Sequence, residues 1–115
     1  MQHEYLFSYG TLQKKEVQLG LFGRILVVSD DILIGFKVSA IEIKDERFLS
    51  RGQEKYQKTL VVADGKNDLV KGTALEMTIE ELLLADKYEP SNYKRIKVTL
   101  ESGKNAWVYV AMEEK

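Results

Sequence analysis

The sequence contains no cysteine, and only one histidine, one proline and one tryptophan among its 115 residues. Without cysteine there is no disulfide framework, no thiol nucleophile and no cysteine zinc site. The single histidine, His3, sits where chain ends fray, so it reads as a solvated terminal residue and a Ser-His-Asp triad has no well-placed base. An excess of charge of one sign is missing too. The 17 basic and 18 acidic residues give a formal net charge of -1, which offers no footprint for phosphate backbones and excludes nucleic acid as an expected partner. No apolar run approaches the roughly 20 residues of a membrane helix, and no basic-then-apolar leader is present, so the expected setting is cytoplasmic, with no membrane partner. A Walker loop, a dinucleotide GxGxxG and metal-ligand clusters are also absent from the sequence. Carboxylates, hydroxyls and backbone amides are left to carry any chemistry.

What is present is enough for one core. The length and the 44% apolar fraction fit a single domain over residues 1–115, self-sufficient as a monomer or a weak homodimer. Residues 4–9, aromatic-rich and stopping at Gly10-Thr11, read as a short buried strand. The spacing of Val17, Leu19, Leu21 and Phe22 fits a short helix from Lys14 to Phe22, interrupted by Gly20 and Gly23. From Ile32 to Ala40 apolar residues recur with a period of two, and the phase slip at Ile41 predicts a bulge near Ala40. The charged stretch Lys44 to Lys58 has no period and reads as an exposed excursion. Leu60–Ala63 and Leu69–Met77 read as strands joined by a turn at Asp64–Asp68. Thr78-Ile79-Glu80-Glu81 matches a capping box, and the helix it opens should present Ile79, Leu82 and Leu83 inward and stop before Pro90. A hairpin around Ser102-Gly103 closes the chain. The expected fold class is α+β: a small mixed, mostly antiparallel, barrel-like sheet with one firm helix.

Three constellations bear on function. Tyr9-Gly10-Thr11-Leu12 ends the first strand; glycine there either simply terminates the strand or lets successive N-H groups converge on a carboxylate or an oxyanion. Asp86 and Glu89 lie three apart at the end of the helix. A carboxylate at the negative end of a helix, beside another carboxylate and partly buried, has a raised pKa suited to a general base; the alternative is a surface Glu89, or one paired with Lys94 or Arg95. Gly20-Leu21-Phe22-Gly23-Arg24 has the spacing of a nucleic-acid GxxG loop but lacks its flanking helices and basic balance, so it reads as a packing turn with Arg24 available to an anion.

Taken together, Tyr9-Gly10-Thr11-Leu12, then Asp86-Lys87-Tyr88-Glu89, then Tyr93-Lys94-Arg95 resemble the gamma-glutamylcyclotransferase-like (AIG2-like) family. Phe22-Gly23-Arg24, Ile34-Gly35-Phe36 and Val70–Glu76 extend the resemblance over nearly the whole chain, while Ala85 and Pro90 depart from the family's usual leucine and glycine. The resemblance implies a transferase chemistry on a small-molecule gamma-glutamyl substrate. The substrate's own α-amine attacks the side-chain amide and releases 5-oxoproline, Glu89 is the general acid/base, and Tyr9, Gly10, Thr11, Leu12 and Arg95 bind substrate without metal or cofactor. The rival expectation is a non-catalytic module of the same fold that binds a carboxylate.

Overall fold

The computed structural model describes residues 3–52, 55–63 and 68–111. In chain order the elements are β1 (Glu4–Ser8), a 3-10 turn (Thr11–Gln13), α1 (Lys15–Phe22), β2 (Val27–Ile34), β3 (Phe36–Glu42), α2 (Glu46–Leu49), β4 (Tyr56–Val62), β5 (Leu69–Met77), α3 (Ile79–Tyr88), β6 (Tyr93–Thr99) and β7 (Asn105–Ala111). Five strands form one sheet in the order β2-β5-β1-β7-β6, and β3-β4 form a separate two-stranded ribbon. Every pairing is antiparallel except β1 with β7. The sheet is mixed and mostly antiparallel as expected, but it stays open and does not close into a barrel.

The middle strand explains the layering. Successive strand residues face opposite sides, so a strand that is apolar at consecutive positions must be covered on both faces. Leu6 of β1 packs with Leu75, Met77, Leu82, Ala85 and Tyr109, beneath α1 and α3. Its neighbour Phe7 packs on the other face with Leu33, Val70, Ala74, Val108 and Leu60 of the ribbon. The result is a helix layer, a central sheet and a two-stranded cover.

The capping box forms: Thr78 Oγ1 accepts from Glu81 N at 3.2 Å, and the Glu81 carboxylate accepts from Thr78 N at 2.9 Å. The inward face of α3 differs from expectation. Leu82 and Ala85 are fully buried, whereas Ile79 and Leu83 are about half exposed. The buried stripe runs through 82 and 85, with the half-buried 89 in line beyond them, which turns 79 and 83 toward solvent. The expected bulge near Ala40 is also corrected. The β3-β4 register runs one-to-one from Phe36↔Val62 through Ala40↔Lys58 to Glu42↔Tyr56. The break falls at Gly35, whose φ of 89° suits glycine. Gly35 donates to the Asp68 carbonyl at 3.0 Å and accepts from Ala63 N at 2.9 Å, making it the corner where the chain leaves the sheet for the ribbon.

The charged excursion is more structured than its composition suggests. Asp45 caps α2, Phe48 is 3% exposed, and Tyr56–Lys58 already belong to β4. The expected turn at residues 64–67 lies outside the described residues, and the strands flanking it do not pair with each other: β4 pairs with β3, and β5 lies between β2 and β1.

Gly72 of β5 marks the tightest approach in the sheet. A Cβ there would lie 2.5 Å from the Ser8 carbonyl oxygen and 2.7 Å from the Phe7 ring. Neither backbone nor a buried ring can retreat cheaply. Gly72→Ala is therefore expected to destabilise the protein by about 2 kcal/mol, read as a lower denaturant midpoint at unchanged slope.

Candidate active site

The site is built where β1 ends and α3 ends. After Ser8, Gly10 adopts φ -140° and ψ -142°, outside the left-handed region. What glycine contributes there is an absent side chain, because a Cβ would meet no protein atom within 4 Å. The following 3-10 turn is closed by Gln13 N to Gly10 O (3.2 Å) and Lys14 N to Thr11 O (3.0 Å). Leading N-H groups of such a turn have no partner within it, and those of Thr11 and Leu12 find no protein acceptor among the described residues. The turn is held firmly from behind. Gln18, 2% exposed, donates to the Leu12 carbonyl at 2.9 Å and accepts from Leu26 N at 3.0 Å. The Thr11 hydroxyl meets the Tyr88 hydroxyl at 3.0 Å, which ties the turn to α3.

Glu89 caps the C-terminus of α3. Its N-H still bonds to the Ala85 carbonyl at 3.1 Å, but its own backbone is extended, with ψ 154°. Pro90 disfavours helical geometry in the residue before it, so the chain swings out of the helix at Glu89, which lines a cavity there. Burial pushes the carboxyl up from its ordinary 4.5 to about 7; the Arg51 guanidinium opposes this and Asp86 adds to it. Among the described residues Glu89 has no salt-bridge partner.

Asp86 does not share that role. It receives two hydrogen bonds from Arg95, 2.7 Å from Nε and 2.9 Å from Nη2, and a third from the Tyr109 hydroxyl at 2.5 Å. Arg95 also lies over the Trp107 ring, 4.5 Å from its centroid. Expected to bind substrate, Arg95 stands outside the pocket lining: its planar fork is matched to a carboxylate of the protein itself. Arg24 is likewise occupied, in a two-pronged pair with Glu81 at 2.7 and 2.8 Å. His3, expected free in solvent, rests against Glu76.

One cavity of about 460 Å³ joins the two ends. Tyr9, Gly10, Thr11 and Leu12 form one wall, Glu89 and Pro90 another, and Tyr56, Gln57 and Lys58 of the ribbon a third. Tyr93 and Tyr109 complete it. The Tyr9 hydroxyl donates to the Tyr109 carbonyl at 2.6 Å, and the Tyr93 hydroxyl to the Lys58 carbonyl at 2.7 Å. Burial foremost, with Asp86 next for Tyr109, Tyr93 next for Tyr9 and the Glu89 charge adding to all three, holds the phenols of Tyr9, Tyr93 and Tyr109 well above their ordinary value, so they stay neutral. Gln18 and Tyr109 were invisible as site residues in the sequence. Gln18 sits in an unremarkable polar position, and Tyr109 falls in an alternating strand that reads as core. Among the described residues no group of three or more His, Asp or Glu is placed to hold a metal. No helix among them is long and apolar enough to cross a membrane.

A sheet covered by helices on one face and a β-ribbon on the other is a fold this chain shares with solved structures. A structure described as a gamma-glutamyl cyclotransferase superposes with a TM-score of 0.77 at 17% identity, over 99% of this chain and 69% of that one. An uncharacterised protein from Homo sapiens gives 0.73 at 18% identity, over 100% and 70% of the two chains. A solution structure from Arabidopsis thaliana gives 0.70 at 20%; it is covered over 63% of its length, by 96% of this chain. No curated protein matches the sequence significantly. The family model for gamma-glutamyl cyclotransferase, AIG2-like, matches residues 6–115, and the chain belongs to that family.

The raised pKa has a stability consequence. A native carboxyl that holds its proton up to about pH 7, against 4.5 when exposed, costs nothing below pH 4.5. Between those values the unfolded chain releases the proton first, so stability falls as pH rises and levels off above 7. Glu89→Gln removes that cost. It is expected to stabilise the protein by about 3 kcal/mol at pH 8, with the gain disappearing below pH 4.5, measured by denaturant titration at the two pH values.

Proposed function

We propose that this protein is a gamma-glutamyl cyclotransferase acting on a gamma-glutamyl amine or peptide. The observation that carries the reading is the shared cavity: the Glu89 carboxyl and the Gly10–Leu12 turn line the same 460 Å³ space. A nucleophile supplied by the substrate needs only a base to take its proton, a positive environment for the developing oxyanion, and confinement of the folded-back substrate. The neutral α-amine attacks the γ-carbonyl carbon and a five-membered ring closes. Glu89 accepts the proton the nitrogen loses and passes one to the departing nitrogen as the carbon–nitrogen bond breaks, giving 5-oxoproline and a free amine. The open N-H groups of Thr11 and Leu12 offer hydrogen bonds to the substrate carboxylate or to the tetrahedral oxygen. The neutral phenols of Tyr9, Tyr93 and Tyr109 exclude water without adding charge.

Release of 5-oxoproline should be assayed across a panel of gamma-glutamyl amino acids and amines. Glu89→Gln is expected to lower turnover by about 100-fold or more while remaining folded, and wild-type turnover should rise with pH through about 7, as Glu89 ionises. Unchanged turnover in the folded Glu89→Gln protein overturns the assignment. Binding of 5-oxoproline with no turnover of any panel member would instead mark a carboxylate-binding module.

A further inference from the structure

The segment Asp45 to Gly52 is bonded to the backbone on both sides of Glu89-Pro90. On the far side, Asp45 Oδ2 accepts from Ser91 N at 3.0 Å, while Asp45 Oδ1 accepts from Arg47 N and caps α2. On the near side, Arg51 Nη1 donates to the Tyr88 carbonyl at 3.2 Å. The guanidinium also lies 5.6 Å from the Phe48 ring centroid and 5.7 Å from that of Tyr88. Phe48 is 3% exposed, so the strap is anchored in the core between its two polar contacts. Gly52, its last residue, lines the cavity. A helix end leaves carbonyls without partners, and a cation there satisfies one of them while countering the end's partial negative charge.

We propose that this strap is a clamp for the turn bearing Glu89, with Asp45 and Arg51 as positioning residues that fix where the Glu89 carboxyl sits. The clamp rests on the cyclotransferase reading for its role in turnover, but its geometry stands without it. General acid/base transfer demands that the carboxyl stay within hydrogen-bond reach of both nitrogens. Without the strap the turn keeps the Tyr93 N to Pro90 O bond and the Thr11–Tyr88 contact, but its backbone at Tyr88 and Ser91 loses these two anchors. Arg51 also brings its charge near Glu89, where it favours the ionised form. The other groups acting on Glu89 are Asp86 from α3, which favours the protonated form, and the phenols of Tyr9, Tyr93 and Tyr109, which stay neutral. Lys14, Tyr56 and Lys58 line the remainder of the cavity.

The test uses the full chain and two readouts: titration of the Glu89 carboxyl by NMR, and steady-state 5-oxoproline release. Arg51→Gln is expected to raise the titration midpoint by about half a pH unit. It should also lower kcat about threefold to tenfold with KM nearly unchanged. Arg51→Lys should restore the midpoint, because it keeps the charge, and recover only part of kcat. Asp45→Asn should lower kcat. Ser50→Ala, in the same strap but bonded only within it, should leave both readouts at wild-type values. Wild-type midpoint and kcat in folded Arg51→Gln overturn the proposal; if that variant does not fold, wild-type kcat in both Arg51→Lys and Asp45→Asn overturns it. Should the wild type release no 5-oxoproline, the cyclotransferase reading fails. The NMR midpoint of Arg51→Gln then decides the clamp by itself, a rise supporting it and no change overturning it.

Discussion

The burial of β1 on both faces is the constraint from which the rest follows. A strand with Leu6 and Phe7 side by side, each almost wholly inaccessible, needs a cover on each side, and it obtains α1 and α3 on one and the β3-β4 ribbon on the other. The same demand brings β5 so close that only glycine fits at position 72. Because β1 is immobilised in this way, the turn that follows it starts from a fixed point. Gln18 then holds the turn from behind by bonding to the Leu12 carbonyl. The open amides of Thr11 and Leu12 are thus placed by the best-packed part of the molecule.

Around this frame the buried and half-buried acids are treated in two ways. Asp31 accepts from Ser102 and from Ile32 N, Glu81 is held by Arg24 and the helix cap, and Asp86 is held by Arg95 and Tyr109. The hydrogen bonds of Asp31 and Glu81 keep both carboxyls below their ordinary range despite burial. Glu89 is treated differently: its surroundings take away water without supplying a direct cation, and its affinity for a proton rises. An uncompensated carboxyl of this kind costs free energy, and perturbed groups of this sort cluster at functional sites.

Much of this was legible in the sequence. The capping box, the stop at Pro90, the extent of β5 and the closing hairpin all depend on interactions within a few residues, and local spacing records those. The pairing of Tyr9–Leu12 with Glu89 was legible through the family resemblance. Long-range geometry was not. Period two persists across Gly35, so the alternation of Ile32–Ala40 concealed a change of sheet at a single residue. Lys44–Lys58 read as solvated because one buried phenylalanine hardly registers among so many charges. Arg95 fits a substrate carboxylate as well as it fits Asp86, and only three-dimensional proximity distinguishes the two.

The Gly35 corner divides the labour of the molecule. The wall formed by Tyr56, Gln57 and Lys58 belongs to the ribbon, whereas the amides and Glu89 belong to the central sheet and its helix. The ribbon has its own hydrogen-bond ladder and reaches β7 and the start of β6 through the Thr59 hydroxyl and the Lys58 carbonyl. Side chains on that wall can therefore be exchanged without altering the ladders that set Thr11, Leu12 or α3. A lineage of such proteins is free to retune the shape and polarity of one side of its cavity while inheriting intact the side that carries Glu89 and the open amides.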